Sequence, residues 1–317
     1  MIRFLLCMPL LLAAVASQAA TECRYTELAA LDINVDERFS DTPYLDAQIN
    51  GKSVHMLIDT GAFKTLLTRA ELDRQKVTLT RSREIVNGVG GRAAMFNARP
   101  KEVIIGPARV RQTWFPVVEG LDYPGYGGII GADYLLQADL EIALADKQLK
   151  FFRGAGCDDK SLAYWDVKAM DVPLDIPYRD SRAMVPVTLN GTKLMALIDT
   201  GATISVVDQR TAERLGFDPA AADTRKGNKL RGLNDKTRQS WITTFDSFAI
   251  GEEQIAHPRL TVMESVDGDI DTRDHQMVLG RDFLRAHRVL LSTAQRRFYY
   301  SYLGGPVFAA SHGAKQP

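Results

Sequence analysis

Histidine and cysteine are scarce in this chain, and neither is arranged for chemistry. The five histidines, at 55, 257, 275, 287 and 312, show no His-x-x-x-His spacing. That excludes the helix-borne zinc signature, and no metal is expected. None of the cysteines sits near a histidine in a nucleophile pattern, which removes thiol catalysis of the Cys–His kind. An excess of charge of either sign is missing too, since Lys+Arg and Asp+Glu both number 39. Composition therefore gives no reason to expect nucleic acid or an anionic membrane as partner. Beyond the N-terminus no apolar run approaches membrane length. A Gly-rich run does occur, Ile85-Val86-Asn87-Gly88-Val89-Gly90-Gly91, but it lacks Lys-Ser/Thr and no helical pattern follows Gly91. A phosphate loop needs both, so no nucleotide cofactor is expected and the run is read as a hairpin tip.

What is present is ordinary for a globular protein: 45% hydrophobic and 25% charged residues in a chain of 317. That length allows two domains, each with its own core. At the N-terminus, Arg3 precedes an apolar run from Phe4 to Ala16, and Ser17-Gln18-Ala19 has the small-x-small form of a cleavage site. Residues 1–20 are read as a secretory signal peptide, too short for a comfortable transmembrane helix, with an uncleaved anchor as the alternative. The expected fate is export, which in a bacterial host means the periplasm or the medium. Cleavage removes Cys7 and leaves Cys23 and Cys157. In an oxidising compartment these can pair if their Cα atoms come within about 7 Å; otherwise they stay as two thiols.

The chain is organised around a repeat. Leu57-Ile58-Asp59-Thr60-Gly61-Ala62 returns as Leu197-Ile198-Asp199-Thr200-Gly201-Ala202, 140 positions later. Ile49-Asn50-Gly51 precedes the first copy and Leu189-Asn190-Gly191 the second. Asn-Gly suits a type I′ hairpin turn, and the short apolar run after it suits a buried strand. Each aspartate therefore ends a buried strand on a tight turn. That is a costly place for a charge unless something shares it.

The rest of the chain repeats as well. Thr68-Arg69-Ala70-Glu71 has capping-box spacing and predicts a short helix through about Gln75. Its counterpart is capped by Asp208 and stopped by Gly216. Val103-Ile104-Ile105-Gly106 matches Phe248-Ala249-Ile250-Gly251, and Phe115-Pro116-Val117-Val118 matches Leu260-Thr261-Val262-Met263. Gly128-Ile129-Ile130-Gly131-Ala132-Asp133 matches Met277-Val278-Leu279-Gly280-Arg281-Asp282. Each half closes on an aromatic strand, around Phe151-Phe152 and Phe298-Tyr299-Tyr300. The resulting division is signal peptide 1–20, N-terminal extension 21–42 without a firm element, first lobe 43–153, linker 154–172, second lobe 173–303 and flexible tail 304–317. A long period seen only twice is a duplicated domain, not a solenoid.

Over about residues 43–303 these motifs resemble the aspartic proteases, and among them the bacterial retropepsin-like group in a fused, single-chain form. The resemblance implies an all-β fold of two homologous acid-protease-type β-barrel lobes with a cleft between them and a short helix or two per lobe. It implies Asp59 and Asp199 as a catalytic pair, and Thr60, Gly61, Thr200 and Gly201 as support of the active-site turns. Gly131, Asp133, Gly280, Arg281 and Asp282 would brace them. Gly88, Val89 and Gly90 would tip one flap, and Gly232 and Leu233 the other. The expected activity is peptide-bond hydrolysis by a monomer acting on a peptide or protein substrate, without cofactor. Viral members follow Asp-Thr-Gly-Ala with an Asp that grips substrate and pairs with the bracing Arg. Here Phe63 and Thr203 stand in those places, so Arg281 lacks that partner and Phe63 is expected to line a subsite. Two competitors remain: a pair of merely structural turns in a duplicated β domain, and a periplasmic binding or regulatory protein that keeps the fold without turnover.

Overall fold

Each half opens on a hairpin whose turn is set by two residues. Asn50 and Gly51 have φ of 51° and 78°, and Asn190 and Gly191 have φ of 46° and 75°. A type I′ turn needs φ > 0 at both central positions, which Asn tolerates and Gly accepts freely. The turns join Thr42–Ile49 to Lys52–Ile58 and Met184–Leu189 to Thr192–Ile198. Both Asn side chains also reach the next strand. Asn50 Oδ1 accepts from the amides of Lys101 (2.7 Å) and Glu102 (3.3 Å). Asn190 Oδ1 accepts from those of Asp246 (2.8 Å) and Ser247 (3.2 Å). The structure is a computed structural model and describes residues 22–88, 91–121, 123–178, 180–231, 237–265 and 276–308.

In both halves the strand that leads to Asp-Thr-Gly runs parallel to the later hydrophobic-Gly strand. Lys52–Ile58 pairs with Tyr126–Ile130, and Thr192–Ile198 with Met277–Leu279. A short strand pairs with the other side of each hydrophobic-Gly strand, Leu66–Leu67 at the sheet edge in the first half and Val206–Asp208, which pairs onward with Arg259–Met263, in the second. Tyr126–Ile130 is buried at every position, as a strand covered on both faces should be. The two sheets have seven and nine strands, and the first half adds a three-stranded sheet built from Leu79–Gly88, Gly91–Ala98 and Phe115–Val118. The fold is thus all-β with few, short helices.

The halves also share a sheet. Six strands run in the order Arg24–Asp32, Gln148–Ala155, Asp139–Ala143, His287–Ser292, Arg297–Tyr302, Met170–Pro173. The boundary between halves lies at the pairs Leu140↔Leu291 and Ile142↔Val289, all four side chains fully buried. The aromatic strands that end the two halves, Gln148–Ala155 and Arg297–Tyr302, thus both belong to this shared sheet.

Three segments are more structured than their sequence indicates. The region read as lacking an element, 21–42, holds the strands Arg24–Asp32 and Asn34–Asp36 and the one-turn 3₁₀ helix Glu37–Phe39. Arg24–Asp32 is an edge strand whose residues stay largely exposed and whose ladder shifts between Glu27 and Ala29. It carries little apolar alternation because only its partner Gln148–Ala155 makes it a strand. Cys23 and Cys157 are disulfide-bonded beside it, with Cα atoms 4.5 Å apart. In the stretch read as a linker, Leu162 and Ala163 are buried against Phe152, Leu290 and Tyr299. In the tail, Phe308 is buried against the rings of Phe248 and Phe283; residues 309–317, like 1–21, lie outside the described residues.

Helix capping divides between the halves. Asp208 Oδ2 accepts from the amide of Thr211 at 3.1 Å and starts Gln209–Arg214. Thr68 precedes Arg69–Arg74 without capping it. Its hydroxyl donates instead to Tyr126 O at 3.0 Å, and buried Glu71 bonds Arg74 and Gln75. The capping box is lost because Thr68 has a tertiary partner and Glu71 is held one turn further along its own helix.

Candidate active site

Asp59 and Asp199 stand where the parallel ladders end. The Asp59 amide donates to Ile130 O and the Asp199 amide to Leu279 O, both at 3.0 Å. The chain then turns around each carboxylate. Asp59 Oδ1 accepts from the amides of Gly61 and Ala62, both at 2.9 Å. Asp199 Oδ1 accepts from those of Gly201 (2.7 Å) and Ala202 (3.0 Å). The side chains are thereby fixed by their own turns.

The threonines cross between halves. Thr60 Oγ1 accepts from the Thr200 amide (3.0 Å) and donates to Ile198 O (2.7 Å). Thr200 Oγ1 accepts from the Thr60 amide (3.0 Å) and donates to Ile58 O (2.9 Å). Both threonines are fully buried. The approach is close enough that a Cβ on Gly61 would lie 2.4 Å from Asp199 Cγ, and one on Gly201 2.5 Å from Asp59 Cγ. Any side chain at either glycine would push the opposite carboxyl away.

Each carboxyl thus lies against the opposite turn, where it is exposed to the other's charge. Burial pushes the Asp59 carboxyl well above its ordinary pKa, the charge of Asp199 adds to that, and the amides of Ala62 and Gly61 oppose it. Two neighbouring carboxyls disfavour simultaneous ionisation.

A second layer holds the corners from below. Asp133 Oδ1 accepts from the Thr65 amide (2.7 Å) and hydroxyl (2.8 Å), and Thr65 Oγ1 accepts from the Gly131 amide (3.1 Å). In the second half Asp282 Oδ1 accepts from the Ser205 amide (2.8 Å) and hydroxyl (2.6 Å), and Ser205 Oγ accepts from the Gly280 amide (3.0 Å). Burial raises the pKa of Asp282, against the pull of these donors. Thr65 and Ser205 were not singled out from sequence. Their signal was a hydroxyl residue at the same offset after both Asp-Thr-Gly copies.

Arg281 has no carboxylate partner among the described residues; it has oxygens. Nη1 donates to Thr200 O (3.0 Å) and Gly201 O (3.1 Å). Nη2 donates to Ser40 O (3.1 Å), Thr42 Oγ1 (3.3 Å) and Thr203 Oγ1 (3.1 Å). Buried Nε has no partner among the described residues. Burial lowers the guanidinium's pKa to about 10. Phe63 packs beside the cluster of Leu57, Leu66 and Met95 and lines a cavity of about 400 Å³ with Lys64, Trp114 and Phe115. Of the flap residues, Gly88 faces Gly91 at the end of the Leu79–Gly88/Gly91–Ala98 hairpin. Val89, Gly90, Gly232 and Leu233 lie outside the described residues, although Leu230–Arg231 pairs with Thr237–Arg238 on either side of the second tip.

Two matched corners, each delivering a carboxyl against the other's glycine, define the architecture of an aspartic proteinase. The comparisons agree. A model described as gag-polyprotein putative aspartyl protease matches residues 45–137, and one described as aspartyl protease matches 185–283. Aspartyl protease models thus match both halves, and the chain belongs to the aspartyl proteases. The crystal structure of the aspartic proteinase from Irpex lacteus is similar with a TM-score of 0.50, 11% identity, and coverage of 89% of this chain and 98% of that one. At that identity the likeness concerns the fold alone. A sequence comparison with curated proteins gives no match.

Proposed function

We propose that this chain is an exported aspartic endopeptidase in which Asp59 and Asp199 activate a water molecule. The observation that carries this reading is the pair of carboxyls set against each other's turns by the crossed threonines, where burial raises the Asp59 carboxyl above its ordinary range. One member is then ionised and the other protonated at the same pH. The ionised carboxylate takes a proton from water as its oxygen attacks the scissile carbonyl, and the protonated carboxyl polarises that carbonyl. The tetrahedral diol collapses when the amide nitrogen accepts a proton from the dyad and the C–N bond breaks. The products are a carboxylic acid and an amine, with no covalent intermediate.

The substrate is an extended peptide that lies in the cleft as an added strand beneath the flap hairpins. Because both corners come from one chain, a monomer suffices. Export is supported by the apolar segment Phe4–Ala16 and by the Cys23–Cys157 disulfide, which suits an oxidising compartment.

Cleavage of a mixed peptide library at several pH values tests the proposal. Wild type cleaves, whereas Asp59→Asn and Asp199→Asn do not. Turnover that survives either substitution refutes the dyad. A wild type inactive at every pH favours a binding protein that keeps the fold.

A further inference from the structure

The segment that enters the first half does more than lead into it. Asp36 is rooted on the first half, where Tyr126 donates its hydroxyl to Oδ2 at 2.9 Å. Tyr126 begins the strand whose end, Ile130 O, accepts the Asp59 amide. Four residues after Asp36 the chain reaches the other half. Ser40 O accepts from Arg281 Nη2 at 3.1 Å and Thr42 Oγ1 from the same nitrogen at 3.3 Å. Asp41 O accepts from Arg285 Nη2 at 3.1 Å. Ser40 and Asp41 are consecutive non-glycine residues in the left-handed region, φ 56° and 54°. Such a conformation persists where its surroundings over-determine it, and here the two arginines supply those surroundings.

Arg281 connects this segment to the site. Its other nitrogen, Nη1, holds Thr200 O and Gly201 O, the backbone of the Asp199 corner. One buried guanidinium thus spans from residues 40–42 to the catalytic turn of the opposite half. Without those residues it would keep only the corner's own carbonyls and the Thr203 hydroxyl as acceptors. A buried cation short of acceptors is drawn toward solvent, and the corner would move with it. The device is one-sided, because Ala132 occupies the place of Arg281 in the first half.

We propose that residues 40–42 are a positioning element for Asp199, clasped across the halves by Arg281, and that this segment stays in the working enzyme and is not removed as a propeptide. The proposal rests on the peptidase reading above. It deepens that reading by stating what the N-terminal segment contributes and how the enzyme matures.

The discriminating variant is Ser40→Pro, which cannot adopt a positive φ and so turns the Ser40 carbonyl away from Arg281. Its control is Ser40→Gly, which keeps both the conformation and the carbonyl. In folded protein, checked by thermal melting, Ser40→Pro should lower kcat by about tenfold or more while KM stays within about twofold, because misplacing a catalytic group costs rate and not binding. Ser40→Gly should restore the wild-type kcat. If Ser40→Pro does not fold, Arg281→Lys, which keeps the charge but not the fork, serves with the same readouts. Amide hydrogen exchange over residues 199–203 should accelerate in the same variants. Exchange is read without turnover, so a protein inactive throughout would sink the peptidase reading and still decide the clasp. Intact mass of the active enzyme should place its N-terminus at or before Cys23. Wild-type kcat and exchange in a folded Ser40→Pro, or an active enzyme whose N-terminus lies beyond Thr42, would overturn the proposal.

Discussion

Replacing Thr60 with valine tests the crossed threonines that join the two corners. Valine has nearly the same shape, so the change removes a hydroxyl and leaves little cavity. That hydroxyl has two partners, the Thr200 amide at 3.0 Å and Ile198 O at 2.7 Å. Thr60 and Thr200 are both at 0% exposure, so no water reaches the groups left behind. Each stranded buried polar group costs about 1–3 kcal/mol, giving a loss of about 2–6 kcal/mol in all. Thr200→Val should cost the same, since its hydroxyl bonds the Thr60 amide and Ile58 O at 3.0 and 2.9 Å. The double variant should cost less than the sum, because the first change already loosens the shared interface. Guanidinium unfolding of the oxidised chain at neutral pH reads these losses as shifts in midpoint. A loss below about 0.5 kcal/mol, the range of an ordinary surface substitution, for either single variant would refute the reasoning. So would a pair of very unequal losses.

The dyad should reveal itself in stability as well as in rate. The Asp59 carboxyl has a folded pKa well above its ordinary 3.8, chiefly through burial and then through Asp199. Between those two values the folded chain holds a proton that the unfolded chain has released, so stability falls as pH rises through that window. Asp59→Asn removes this penalty. Its melting temperature should exceed that of wild type at neutral pH, and the gain should vanish below the ordinary value of 3.8; a variant less stable than wild type at neutral pH contradicts the shift. The Cys23–Cys157 disulfide joins residues 134 apart in sequence, for which chain entropy alone gives a stabilisation of about 4–5 kcal/mol. Cys23→Ser with Cys157→Ser should lower the melting temperature and speed hydrogen exchange first in Arg24–Asp32; equal melting with and without reductant would count against it.

Local chemistry determined the parts of this protein that repeat. Two Asn-Gly turns need positive φ, two apolar runs need burial on both faces, and two Asp-Thr-Gly corners need glycine where a carboxyl approaches. Each of these is a demand made by a few adjacent residues, so the hairpins, the paired corners and the all-β class were legible before any coordinates. The non-repeating parts were not. The edge strand Arg24–Asp32 exists because Gln148–Ala155 offers it a ladder, and the shared six-stranded sheet exists because Leu140 and Ile142 meet Leu291 and Val289. Thr68 left its capping role because Tyr126 O lay within reach. Arg281 found carbonyls from two distant segments in place of a neighbouring carboxylate. In each case the deciding partner lies far away in sequence, and its position is set only when the two halves close on one another.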